Sequence, residues 1–182
     1  MKQIKFVLLF LLMGIIACKP SPMEEKAKNN QPAGPSTVIT GTDGKNQLTL
    51  PAGWKQAYEL NKRAELQALN SDTDCYLISI SDNKTDFPNL TLEQHASTTL
   101  KKLLAGLKNP VLNQPKPLTI NGNHAIQYQV HGLFNSTAVV YIHTTIETKL
   151  QYTQIVTWTQ ETKFETNRPA MEQIINSFRI KA

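Results

Sequence analysis

The chain has 182 residues, 40% of them hydrophobic and 18% charged, with 10 prolines and 8 glycines. This balance suits one ordinary globular domain and excludes a disordered or collagen-like chain. The formal net charge is +5, but two of the lysines, Lys2 and Lys5, precede an apolar leader; without them 17 basic residues face 14 acidic ones, a net of +3, too little for the electrostatic footprint of a nucleic-acid binder.

Residues 6–16 (FVLLFLLMGII) are apolar without interruption. A spanning helix needs roughly 20 such residues and a signal-peptide core about 7–15, so this run reads as a signal peptide over 1–17. It ends in Ile15-Ile16-Ala17-Cys18, which resembles the bacterial lipobox. The resemblance implies that the Cys18 thiol accepts a diacylglyceryl group and becomes the first residue after cleavage. Two or more acyl chains anchor a protein stably to membrane lipid. In that pattern Asp after the cysteine favours the inner membrane; here Lys19 follows, which implies outer-membrane sorting in a two-membrane bacterium. With Cys18 acylated, Cys75 is left without a disulfide partner, and its place in the apolar run CYLISI marks it as a buried, inert thiol.

Residues 18–36 comprise the lipidated cysteine and a tether. Four prolines and many polar residues over 19–36 leave nothing to bury. As a flexible chain this segment reaches about 25 Å, one domain diameter. Residues 37–182 then form a single globular domain.

Within that domain, residues 37–41 and 47–50 flank Asp43-Gly44, a hairpin signal. Short strands are expected over 64–69 and 75–81. Leu92, Ala96, Leu100, Leu103, Leu104 and Leu107 share one stripe, which predicts a helix over 92–107. Thr91 and Gln94 form a capping box at its start, and Asn109-Pro110 ends it. A strand over 118–120 enters the turn Asn121-Gly122. Strands over 124–134, 137–148 and 151–160 make a long meander. A second helix covers 167–178, with Asn167 as N-cap and Ile174, Ile175 and Phe178 on its apolar side. This order predicts an α+β domain, an antiparallel sheet packed by two main helices.

The segments LTLPAGW, TLEQHA, NGNHAIQY and NSFR, in this order, resemble the PsbP-like fold. That superfamily includes a photosystem II extrinsic subunit, a Ran-binding release factor and DcrB-type bacterial lipoproteins. The matching residues Pro51, Gly53, Trp54, Ser177 and Phe178 are packing and turn residues. The resemblance implies an accessory or adaptor role and no shared catalytic site.

The sequence contains no GxSxG, HExxH, P-loop, GxGxxG or CxxC motif, so the expectation is a protein that is not an enzyme and carries no cofactor; a hydrolase whose site is assembled from residues distant in sequence stands as an alternative. Asn70, Asp72 and Asp74 alternate like the start of a calcium loop, but Cys75 and Ser81 stand where such a loop needs Gly and Glu; the segment reads as a polar turn. Asp82, Asp86 and Glu93 read as surface charge, and His95 and His124 join no constellation.

The meander carries the candidate site. A three-residue loop placing Phe134 opposite Ala138 would set Ile126, Tyr128, Val130, Val140, Ile142 and Ile146 on a core face. The other face would carry Gln129, His131, Tyr141, His143 and Glu147, with Trp158 beside Tyr141 and Val156 beside His143. Aromatic area and converging polar groups make this a candidate binding face. The functional expectation is an envelope lipoprotein that binds or supports another envelope protein. The alternative is a small-ligand or metal carrier on the same face, the metal version using His131, His143 and Glu147. A purely structural reading, with the terminal helix and water covering that face, also stands.

Overall fold

A computed structural model describes residues 34–181; the signal peptide expected over 1–17, Cys18 and the tether up to residue 33 lie outside the described residues. The chain runs β1 (Thr37–Thr40), β2 (Asn46–Leu50), β3 (Lys55–Gln56), β4 (Leu66–Asn70), β5 (Cys75–Asn83), α1 (Leu92–Leu104), β6 (Lys108–Leu112) and β7 (Lys116–Ile120). It continues through β8 (Asn123–Phe134), β9 (Thr137–Glu147), β10 (Gln151–Gln160), α2 (Phe164–Asn176) and β11 (Arg179–Ile180). The architecture is α+β, as the element order predicts. An antiparallel sheet has the order β3-β4-β5-β10-β9-β8-β6, with β7 also paired to β8, and a smaller sheet has the order β1-β2-β11.

Both faces of the large sheet are covered. On one face, Leu48 and Leu50 of the small sheet and Met171, Ile174, Ile175 and Phe178 around α2 close on Leu66, Leu77, Ile142, Ile146 and Ile155. On the other, Leu92, Ala96 and Leu100 of α1 pack on Ile126, Val130, Tyr141, Tyr152 and Val156. Each fully buried side chain of this size contributes about 1.5–3 kcal/mol. Eight successive residues of β9, from Val139 to Ile146, are therefore buried, as in a strand sandwiched between two layers. Among the described residues the core lies between Ile39 and Phe178.

Local chemistry places most element ends. In the capping box of α1 the Gln94 N–H donates to Thr91 Oγ1 and the Thr91 N–H to Gln94 Oε1. Asp43 accepts from the Lys45 N–H at 3.0 Å, and Gly44 at φ 72° completes the β1–β2 turn. In the segment that alternates like a calcium loop, Asn70 Oδ1 accepts from the N–H groups of Asp72 and Thr73, and Asp74 is paired with Lys163.

Three expectations are corrected. α1 ends at Leu104 rather than Leu107, and Asn109-Pro110 sits inside the edge strand β6, not in a helix stop. Pro110 lacks an N–H and is tolerated on an edge, here at a register shift with Asn109 at φ 52°. α2 starts at Phe164, not at Asn167. Phe164 is 3% exposed, and burying that ring draws the helix start forward. The Asn167 side chain, in the helix interior, donates instead to Thr73 O and Thr159 Oγ1, both at 2.9 Å.

The third correction decides the site. Phe134 pairs with Thr137, not Ala138. The connection is the two-residue turn Asn135-Ser136, with both φ values positive at 47° and 68°, the pattern of a type I′ hairpin. A slip of one residue moves a whole strand's side chains to the opposite face. Ile126, Tyr128 and Val130 thus join the face of Tyr141 and His143, and Gln129 and His131 leave it.

Candidate functional site

α1 crosses the large sheet above β8, β9 and β10, and its His95 reaches Asp82 of β5. A cleft of about 390 Å³ opens beside it. Its floor is formed by alternate residues of three adjacent strands: Ile78, Ile80 and Asp82 of β5, Gln154, Val156 and Trp158 of β10, and Tyr141 and His143 of β9. Strand alternation puts these side chains on one face. Thr99, Lys102 and Leu103 of α1 make one wall, Leu60, Asn61 and Arg63 of the loop before β4 the other, and Phe134 closes an end.

Four of the six predicted site residues share this face, but none forms the open surface expected. Trp158 pairs with Tyr141 and Val156 with His143, as expected. The rings of Tyr76, Trp158 and Tyr141 stack in a row across three strands, with centroids 5.4 and 5.9 Å apart. Tyr141 is 8% exposed and burial raises its phenol pKa. His143 is 1% exposed. Burial holds its imidazole neutral, with a pKa down to about 4, because a charged ring would lose its hydration. Neither ring nitrogen has a hydrogen-bond partner. The Gln154 side chain favours the charged ring slightly through its carbonyl oxygen, while its N–H goes to Asp82. Glu147 lies at the far end of β9, where it accepts from Lys84 Nζ at 2.6 Å.

Gln129 and His131 stand on the α2 face. Gln129 donates to His131 Nε2 at 2.8 Å, and His131 Nδ1–H donates to Glu161 at 2.9 Å. Both ring nitrogens of His131 are thus committed, on the opposite side of the sheet from His143. The metal reading built on His131, His143 and Glu147 fails on this register. Among the described residues no group of three His, Cys, Asp or Glu side chains is placed to hold a metal ion.

The sequence reading missed a polar cluster at the Arg63 end of the cleft. Asp82 is not a surface charge. Its Oδ2 accepts from His95 Nε2 at 3.0 Å and Gln154 Nε2 at 3.2 Å, and its Oδ1 from Arg63 at 3.4 Å. His95 is buried under α1 and stacks on Tyr152 at 4.6 Å. The signal was present: His95 falls on the apolar stripe of α1, and Asp82 continues the alternation Ile78, Ile80 along β5. Cys75 lies buried on the α2 face, where loss of hydration pushes its thiol up to about 12; it is inert to mild electrophiles.

No family model matches the sequence, and no curated protein does. Solved structures do match. The solution structure of cyanobacterial PsbP (CyanoP) from Synechocystis sp. PCC 6803 aligns with a TM-score of 0.59 at 13% identity, over 82% of this chain and 96% of that one.

The domain has the PsbP-like fold.

Two further structures share the PsbP-like fold at similar distance. LpqN, described as involved in cell envelope biogenesis of Mycobacterium tuberculosis, aligns with a TM-score of 0.59 at 13% identity, over 81% of this chain and 91% of LpqN. The Ran-binding protein Mog1p of Saccharomyces cerevisiae aligns with a TM-score of 0.56 at 14% identity, over 80% of this chain and 95% of Mog1p. Likeness at this identity carries the PsbP-like architecture and not an activity. No helix among the described residues is long and apolar enough to cross a membrane.

Proposed function

We propose that this chain is a lipid-anchored accessory protein of the bacterial envelope, which holds another envelope protein through the α1 cleft and catalyses no reaction. The anchor is the acylated Cys18 at the end of Ile15-Ile16-Ala17-Cys18, and Lys19 directs it to the outer membrane where there are two. The observation that carries the binding role is the cleft, where the stacked rings of Trp158 and Tyr141 and the 48%-exposed Phe134 stand at one end and the polar cluster around Asp82 at the other. Large aromatic surface beside oriented polar groups suits recognition. A PsbP-like neighbour involved in cell envelope biogenesis, LpqN, and a Ran-binding one, Mog1p, support a binding role in the envelope.

The test is affinity capture of the lipidated protein from its own membranes. An envelope partner recovered with the native protein, and lost with Trp158→Ala while the fold persists, supports the proposal. Equal recovery with Trp158→Ala overturns it.

A second reading, a carrier of a small ligand in the same cleft, is favoured by one observation: the buried His143 ring lines the cavity with both nitrogens unpartnered.

A further inference from the structure

The cleft is graded from mouth to floor. At its inner end stands His143, a neutral imidazole that offers one donor and one acceptor with no protein partner for either. Buried polar groups are normally satisfied, so a cavity lined by an orphaned one invites a ligand group that can both give and take a hydrogen bond. A hydroxyl does both. Next come Ile78, Ile80 and Val156, an aliphatic stretch of floor bordered by Gln154. At the mouth are two exposed cations, Arg63 and Lys102. The acid among them, Asp82, is already bonded at both oxygens by His95, Gln154 and Arg63. Lys102 has no carboxylate within 4.0 Å among the described residues. The mouth therefore carries a positive excess, above an apolar channel that ends in a neutral hydrogen-bonding ring.

We infer that the cleft binds a small amphipathic organic anion. Its acidic group faces Lys102 and Arg63, its aliphatic body lies on Ile78, Ile80 and Val156, and a hydroxyl at its inner end meets His143. The volume, about 390 Å³, falls in the range of about 300–1,000 Å³ usual for small-molecule sites. This inference rests on the carrier reading of the cleft and names the class of molecule carried.

The experiment uses residues 18–182 with Cys18→Ser, free of acyl chains and detergent. Four probes share one alkyl body and are titrated below their micelle concentrations: decanoate, ω-hydroxydecanoate, decanol and decyltrimethylammonium. Binding is followed by calorimetry and by the fluorescence of Trp158, with Trp54 as the buried reference. The expected order is ω-hydroxydecanoate, decanoate, decanol, then the cation. The hydroxyl should be worth roughly threefold or more in Kd, the scale of one added hydrogen bond. Lys102→Glu, an exposed change that leaves both cores intact, should erase or reverse the preference for the anion over the cation. His143→Phe should erase the advantage of the hydroxyl and leave decanoate binding in place, and His143→Gln should restore it. Binding of decanol with no preference for charge or hydroxyl overturns the inference while leaving a carrier of apolar ligands. Binding of none of the four by the folded protein overturns both the inference and the carrier reading beneath it.

Discussion

Acid should destabilise this domain in large part through one residue. His143 is buried at 1% exposure, with a folded-state pKa of about 4 against an ordinary 6.5. The unfolded chain takes up the proton first as pH falls, so the contribution of His143 to stability is whole above about pH 6.5. It is lost between 6.5 and 4, and it changes no further below 4. The difference of about 2.5 pKa units corresponds to roughly 3 kcal/mol, a large share of the ~5–15 kcal/mol that holds a domain of this size together. The assay is urea unfolding at a series of pH values between 7.5 and 4, for the native protein and for His143→Leu. Other groups titrate in the same window. Glu65, whose carboxyl pKa is raised by burial, contributes with the opposite sign, since the folded state binds that proton more tightly. The difference between the two proteins isolates His143. It should be near zero or slightly in favour of leucine at pH 7.5, because leucine removes an unsatisfied polar ring, and should widen by about 3 kcal/mol in favour of leucine by pH 4. Parallel profiles for the two proteins would refute the reasoning.

Three other outcomes follow from single contacts. Ser136→Gly should stabilise the domain by about 1 kcal/mol in urea melts, because Ser136 holds φ at 68° where a side chain is penalised. Asn167→Ala should cost about 2 kcal/mol in the same assay, since it removes two hydrogen bonds, one fully and one partly buried, that tie α2 to Thr159 and Thr73. Cys75, 1% exposed with its thiol pushed up to about 12, should resist a disulfide reagent in the native state and react fully in urea; fast native labelling would show that the strand opens.

Element type was legible wherever local chemistry is unambiguous. The pair Thr91 and Gln94 marked the start of α1, Asp43-Gly44 and Asn121-Gly122 marked tight turns, and β10 ran from Gln151 to Gln160 as its pattern implied. The candidate site was half legible. Tyr141, His143 and Trp158 do share a face, since that depends only on the short connection Lys149-Leu150. Gln129 and His131 were misplaced because the β8–β9 register hangs on Asn135-Ser136. Serine in a left-handed conformation is not a turn signature, so nothing in the sequence distinguished a two-residue loop from a three-residue one. The depth of the face was not legible either. Polar residues such as His143, Thr144 and Thr145 suggest solvent, yet all three are buried, because α1 and α2 cover opposite sides of the same strand. Asp82 escaped notice because its partners His95, Gln154 and Arg63 come from three separate elements that only the tertiary fold brings together.

The most direct test of the account is site-specific photo-cross-linking in intact cells. A photoreactive residue would replace Leu103 at the cleft wall or Val38, exposed on the small sheet at 60%, in the full lipidated chain. The expected result is a defined adduct from position 103 that is absent from position 38 and is lost with Trp158→Ala. Identical products from both positions, or an adduct only from position 38, would contradict it.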